Sequence, residues 1–139
     1  TYTVSDRVLR AVQAEFSCGF CTDAQGAQTI GKTFRESRYL LDTHTAVACT
    51  VLGAYRAETG DQTLTVVEST ASPFKFCASV LDALGVTEHA PGTGVLGQLT
   101  AETGRPAPTP LASLAGKPVR FDQVTDRGDM RAVVTEFLR

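Results

Sequence analysis

Apolar residues recur along this chain at helical spacing for most of its length and switch to β-branched runs at two places. Val4, Val8, Leu9, Val12 and Phe16 return every three or four positions behind Ser5, which predicts an amphipathic helix over 5–16. Thr22 and Gln25 have capping-box spacing, and Ala24, Ala27, Ile30 and Phe34 mark one face of a second helix ending near Ser37. Asp42 or Thr43 caps a third helix, in which Ala46 to Tyr55 place apolar residues around most of the circumference. That pattern predicts burial on more than one side, with Gly60 as the stop. Thr63 to Val67 then reads as a strand. Ser72-Pro73 opens a helix with a cap and a proline, Phe74, Cys77, Ala78, Leu81 and Leu84 give its stripe, and Gly85 closes it.

Further along, 93–103 predicts another helix, Pro106, Pro108 and Pro110 impose an extended connection, and Leu111 to Ala115 forms a short turn of helix. Lys117 to Phe121 is a second strand candidate, with Pro118 near its start, and Met130, Val133, Val134, Phe137 and Leu138 form a last amphipathic helix. A right-handed crossover makes the two strands parallel. The expected fold class is therefore α/β, helix-rich with about two parallel strands. Because a parallel sheet is buried on both faces and needs more strands than this, 1–139 reads as a single incomplete piece of a larger domain. Surfaces meant for the rest of that domain predict self-association of the piece.

With 42% hydrophobic and 20% charged residues, 139 residues suffice for one domain with a core. The formal net charge of -2, with basic residues scattered, argues against nucleic acid and against a membrane surface as partners. No apolar run has transmembrane length and no signal peptide is visible, so the expected place is the cytoplasm. The four cysteines then read as reduced thiols. Thr1 stands where an initiator methionine would, and Met130 is the sole methionine, which also suggests a fragment.

The chemistry-bearing motifs divide sharply. Cys18-Gly19-Phe20-Cys21 has redox or half-zinc spacing, but it follows a helix rather than a strand, and no second pair completes a metal site. Packing at a helix corner is the better reading, and no metal is expected. Gly92 to Gly97 matches G-x-G-x-x-G without the preceding strand that a dinucleotide fingerprint needs. Arg127-Gly128-Asp129 reads as a turn before the last helix. His44, in the first turn of the third helix, is either a buried histidine that hydrogen-bonds locally or a residue that faces a ligand. Lys75, in the first turn of the helix after Thr70, opposes the helix dipole, which hints at an anionic ligand beside an ordinary solvated lysine. Thr70, with Ser69 beside it, closes the expected strand where open α/β sheets bind ligands. A neutral hydroxyl there can meet a cofactor ring nitrogen such as that of pyridoxal, or simply end the strand in a turn.

Two of these stretches carry a resemblance. Tyr39-Leu40-Leu41-Asp42-Thr43-His44-Thr45-Ala46-Val47-Ala48 and Ser69-Thr70-Ala71-Ser72-Pro73-Phe74-Lys75-Phe76 resemble, in order and spacing, two motifs of the threonine synthase family. The first matches Tyr-x-x-Asp-Pro-His-Thr-Ala-x-Ala and the second Ser-Thr-Ala-His-Pro-x-Lys-Phe, so Thr43 replaces a proline and Ser72 a histidine. Phe16 to Thr22 is similar to a third segment, with Cys18 and Cys21 where small residues are usual, and the tail from Lys117 is similar as well.

The resemblance implies the carboxyl-terminal part of a three-layer, fold type II pyridoxal-phosphate enzyme that converts O-phosphohomoserine and water to threonine and phosphate. It implies Thr70, or failing that Ser69, at the pyridine nitrogen, with His44 and Lys75 on the substrate side. The Schiff-base lysine and phosphate cup lie upstream in the family, so no catalytic residue is assigned within this stretch. The piece alone is then expected to be inactive and without tightly held pyridoxal phosphate, its partner being the upstream part of the same protein. Another fold type II lyase or dehydratase, or a non-catalytic binding domain on that scaffold, remains open.

Overall fold

The computed structural model describes residues 2–139. Its helices are α1 (Asp6–Glu15), α2 (Asp23–Ser37), α3 (Thr43–Thr59), α4 (Cys77–Ala83), α5 (Gly94–Thr103), α6 (Thr109–Ala112) and α7 (Met130–Phe137). Single 3₁₀ turns at Pro73–Lys75 and Ser113–Gly116 precede α4 and follow α6. Their ends are set by local chemistry. Thr22 and Gln25 form the reciprocal capping box of α2, Asp42 rather than Thr43 caps α3, and Gly60 leaves α3 in the left-handed region at φ 73°.

The core lies where α2 meets α3 and α4, and α4 meets α5. Ile30, Leu41, Ala46, Phe74, Cys77, Val80, Leu81 and Leu99 form one buried cluster, bordered by Leu40, Phe76, Leu84 and Val95. Helices α2 and α4 cross closely at Gly31, where an added Cβ would stand 2.6 Å from the Ala83 carbonyl oxygen. No residue of α1 or α7 is buried, so the apolar stripes of both helices face outward. In α3 only Thr45 and Ala46 are buried, against the expectation of a helix enclosed on several sides.

Among the described residues there is no strand, and the α/β class with two parallel strands does not hold. The architecture is helical. Residues 63–67 form no ladder, and Leu64 and Val66 are 94% and 86% exposed. A strand is defined by the partner that takes its backbone groups, and here the groups of Thr63, at its start, go to local side chains. Asp61 Oδ1 accepts from the Thr63 N–H at 2.8 Å, and Arg56 Nη2 donates to the Thr63 carbonyl at 3.0 Å and to Thr65 Oγ1 at 3.1 Å. Residues 117–121 are likewise irregular, with Val119 and Phe121 exposed.

Candidate functional site

The most densely bonded polar group of the chain is the buried carboxylate of Asp42. Leu41, buried in the core, fixes the approach to α3, so that Asp42 turns its side chain back over the helix start. Oδ1 accepts from the backbone N–H groups of His44 at 2.8 Å and Thr45 at 3.2 Å. Oδ2 accepts from the Thr45 hydroxyl, and the Ser69 hydroxyl, from the far end of the extended segment, donates to it at 3.3 Å. Thr45 Oγ1 and Ser69 Oγ are themselves 3.1 Å apart. Burial opposes the charge of Asp42, but the hydroxyl and N–H of Thr45, the N–H of His44 and the hydroxyl of Ser69 together outweigh it and hold its pKa below the ordinary carboxylate value.

This arrangement gathers the expected site residues at the start of α3 to different degrees. Ser69 belongs to the carboxylate cluster. Thr70 is the next residue, exposed, and its hydroxyl makes no hydrogen bond among the described residues. The His44 side chain is 61% exposed, with Nδ1 3.4 Å from Asp42 Oδ1, and its ring meets Phe76 in a tilted pair at 5.1 Å between centroids. It is thus not a buried histidine. Lys75 is exposed and sits in the 3₁₀ turn, whereas α4 begins at Cys77, so the helix-dipole argument for an anion beside it loses its basis.

A cleft of about 620 Å³ opens between α2, α3 and α4, with Thr43 and His44 on one wall and Ser79 and Asp82 on another. A second, of about 670 Å³, lies between Cys18 to Phe20, the outer face of α3 and residues 65–68. The Cys18-x-x-Cys21 pair is unbonded, and Gly19 packs beside Val51. Among the described residues no group of three or more His, Cys, Asp or Glu side chains is placed to hold a metal ion. Gly92 is a turn residue at φ 57°, and α5 starts at Gly94 with no side-chain cap, so this run has no strand before it. Burial raises the thiol pKa of Cys49, aided by the Asp42 charge, and burial raises that of Cys77, which works against a nucleophilic role for either.

A pyridoxal phosphate group needs a lysine for covalent attachment and a partner for its ring nitrogen. The three lysines, Lys32, Lys75 and Lys117, are all exposed, and none stands in an enclosed pocket with the Ser69–Thr70 hydroxyls. The described residues therefore fit one edge of such a group and not its anchor. Sequence reasoning named Asp42 only as a cap and missed Thr45 and Phe76. The Asp-x-x-Thr spacing is the local signal for the first contact, but nothing in the sequence ties Asp42 to Ser69.

No helix of the described residues is long and apolar enough to cross a membrane. A family model described as threonine synthase, C-terminal, matches residues 45–135, which takes in Thr45, Ser69, Thr70 and Lys75 and begins just past Asp42 and His44. Threonine synthase-like 1 of Homo sapiens is 28% identical over 87 residues, 63% of this chain and 11% of that protein. The protein of the same name from Mus musculus is 33% identical over 82 residues, 58% of this chain and 10% of its own length. The chain thus spans about a tenth of the length of the curated relatives it matches.

Proposed function

This chain belongs to the threonine synthase C-terminal family, and from that premise we propose that it forms the carboxyl-terminal wall of a pyridoxal-phosphate-dependent lyase. The reaction proposed is conversion of O-phosphohomoserine and water to threonine and phosphate. The observation that carries this reading is the cluster at the start of α3, where Asp42 and Thr45 hold Ser69 in place and leave the Thr70 hydroxyl free at the surface. Both stretches that resemble the family's motifs meet there, although they are separated along the chain.

Pyridoxal phosphate, when bound, supplies an electron sink for the carbon chemistry. The residues of this chain supply position. Thr70 offers a neutral hydroxyl to the ring nitrogen, with Ser69 as the neighbouring alternative. In this reading His44, whose ring meets Phe76, and Lys75 take the substrate side, as the resemblance to the family implies. The covalent anchor comes from the upstream part of the same protein, because the lysines of this chain are all exposed. The outward apolar stripes of α1 and α7 and the unladdered segment 63–67 support docking against such a part.

Cofactor retention tests this reading. The polypeptide of the complete reading frame is expected to keep pyridoxal phosphate through dialysis with visible absorbance, while residues 1–139 alone lose it. A stable coloured adduct on Lys32, Lys75 or Lys117 of the isolated chain would overturn the assignment of the anchor.

A further inference from the structure

The three oxygens at the start of α3 allow a proton count. Thr45 Oγ1, Ser69 Oγ and Asp42 Oδ2 form a closed triangle, with Thr45 in a close contact to Oδ2 and Ser69 at 3.3 Å from Oδ2 and 3.1 Å from Thr45. Two hydroxyl protons serve it, since an ionised carboxylate only accepts. Thr45 Oγ1 donates its proton to Asp42 Oδ2. Ser69, although exposed, donates its proton inward to Asp42 Oδ2 at 3.3 Å, and that direction lies inside the triangle. Facing outward, Ser69 presents lone pairs alone, whereas Thr70 keeps a rotatable O–H with no partner among the described residues.

We propose that Asp42 is a positioning residue that commits the Ser69 hydroxyl as an acceptor, so that Thr70 is the donor to any acceptor atom held before these two residues. This deepens the proposed function and rests on it for the identity of that atom, the cofactor ring nitrogen. The internal geometry does not depend on that identity. Replacing Asp42 with Asn tests the logic, because Asn caps α3 about as well while its amide can donate to Ser69 Oγ and release the serine proton outward.

Two measurements on the polypeptide of the complete reading frame decide it. In urea unfolding, a double-mutant cycle of Asp42→Asn with Ser69→Ala is expected to show coupling of about threefold to tenfold in the unfolding constant. The cycle of Asp42→Asn with Thr70→Val is expected to stay within about twofold. Equal coupling in both cycles, or none with Ser69, overturns the positioning role.

In the cofactor-loaded protein, Thr70→Val is expected to shift the absorbance maximum and its pH dependence, Ser69→Ala to leave both in place, and Asp42→Asn to restore them in the Thr70→Val background. A shift caused by Ser69→Ala and not by Thr70→Val overturns the assignment of the donor. Failure to bind pyridoxal phosphate would sink the proposed function and leave the unfolding cycles to decide the role of Asp42.

Discussion

Thr70 and Asp42 differ in what their environments ask of them. Thr70 has no hydrogen-bond partner among the described residues, so Thr70→Val is expected to leave unfolding unchanged while, under the proposed function, lowering turnover of the cofactor-loaded protein about tenfold or more, the effect of an unmade hydrogen bond to the ring nitrogen. Steady-state kinetics beside a urea melt checks it. Asp42 has the opposite profile. Its folded pKa lies below the ordinary value, so the folded state binds its proton less readily than the unfolded chain does. Its contribution to stability is therefore full above the unfolded carboxylate pKa and is lost as pH falls through the lower folded value. Acid unfolding curves for wild type and Asp42→Asn are expected to keep their full separation above about pH 4 and to converge as pH falls below it. At this scale the sequence disclosed the cap, because Asp42 and Thr45 are one turn apart. It did not disclose Ser69, since no local pattern records a contact made across the whole of α3 and the segment after it.

Helices were legible because their signals are local. Ser5, Thr22 and Asp42 each accept a hydrogen bond from a backbone N–H in the first turn of the helix that follows. The extended segments were misread for a complementary reason. The β-branched residues of 63–67 report a preference for a pleated, half-buried place, but a strand also needs a neighbour, and Arg56 and Asp61 occupy the backbone groups at its start instead. Side-chain patterning likewise overstated the burial of α3, whose Val47 is exposed. The close approach of α2 to α4 at Gly31 was not legible at all. Gly31 admits the Ala83 carbonyl of α4, so Gly31→Ala forces that carbonyl or the helix to move and is expected to cost about 1–3 kcal/mol despite its gain in helix propensity. Urea unfolding with Gly26→Ala as control checks this, because an added Cβ at Gly26 meets nothing within 4 Å and should stabilise slightly.

Across the whole molecule, one small core is flanked by helices that bury nothing. The stripes of α1 and α7, together with Leu64, Val66 and Phe20, leave apolar surface at several places around the chain. Residues 1–139 alone are accordingly expected to self-associate, with a sedimentation coefficient that rises with concentration, and the upstream part is expected to suppress that rise. A concentration-independent monomer would mean that these faces need no cover. Product analysis is the direct measure of the proposed lyase activity on O-phosphohomoserine. Supplied with pyridoxal phosphate and O-phosphohomoserine, the polypeptide of the complete reading frame is predicted to release phosphate and threonine in equal amounts, with Thr70→Val reducing both together. A cofactor-loaded protein that forms neither product, or that yields an α-keto acid in place of threonine, would contradict it.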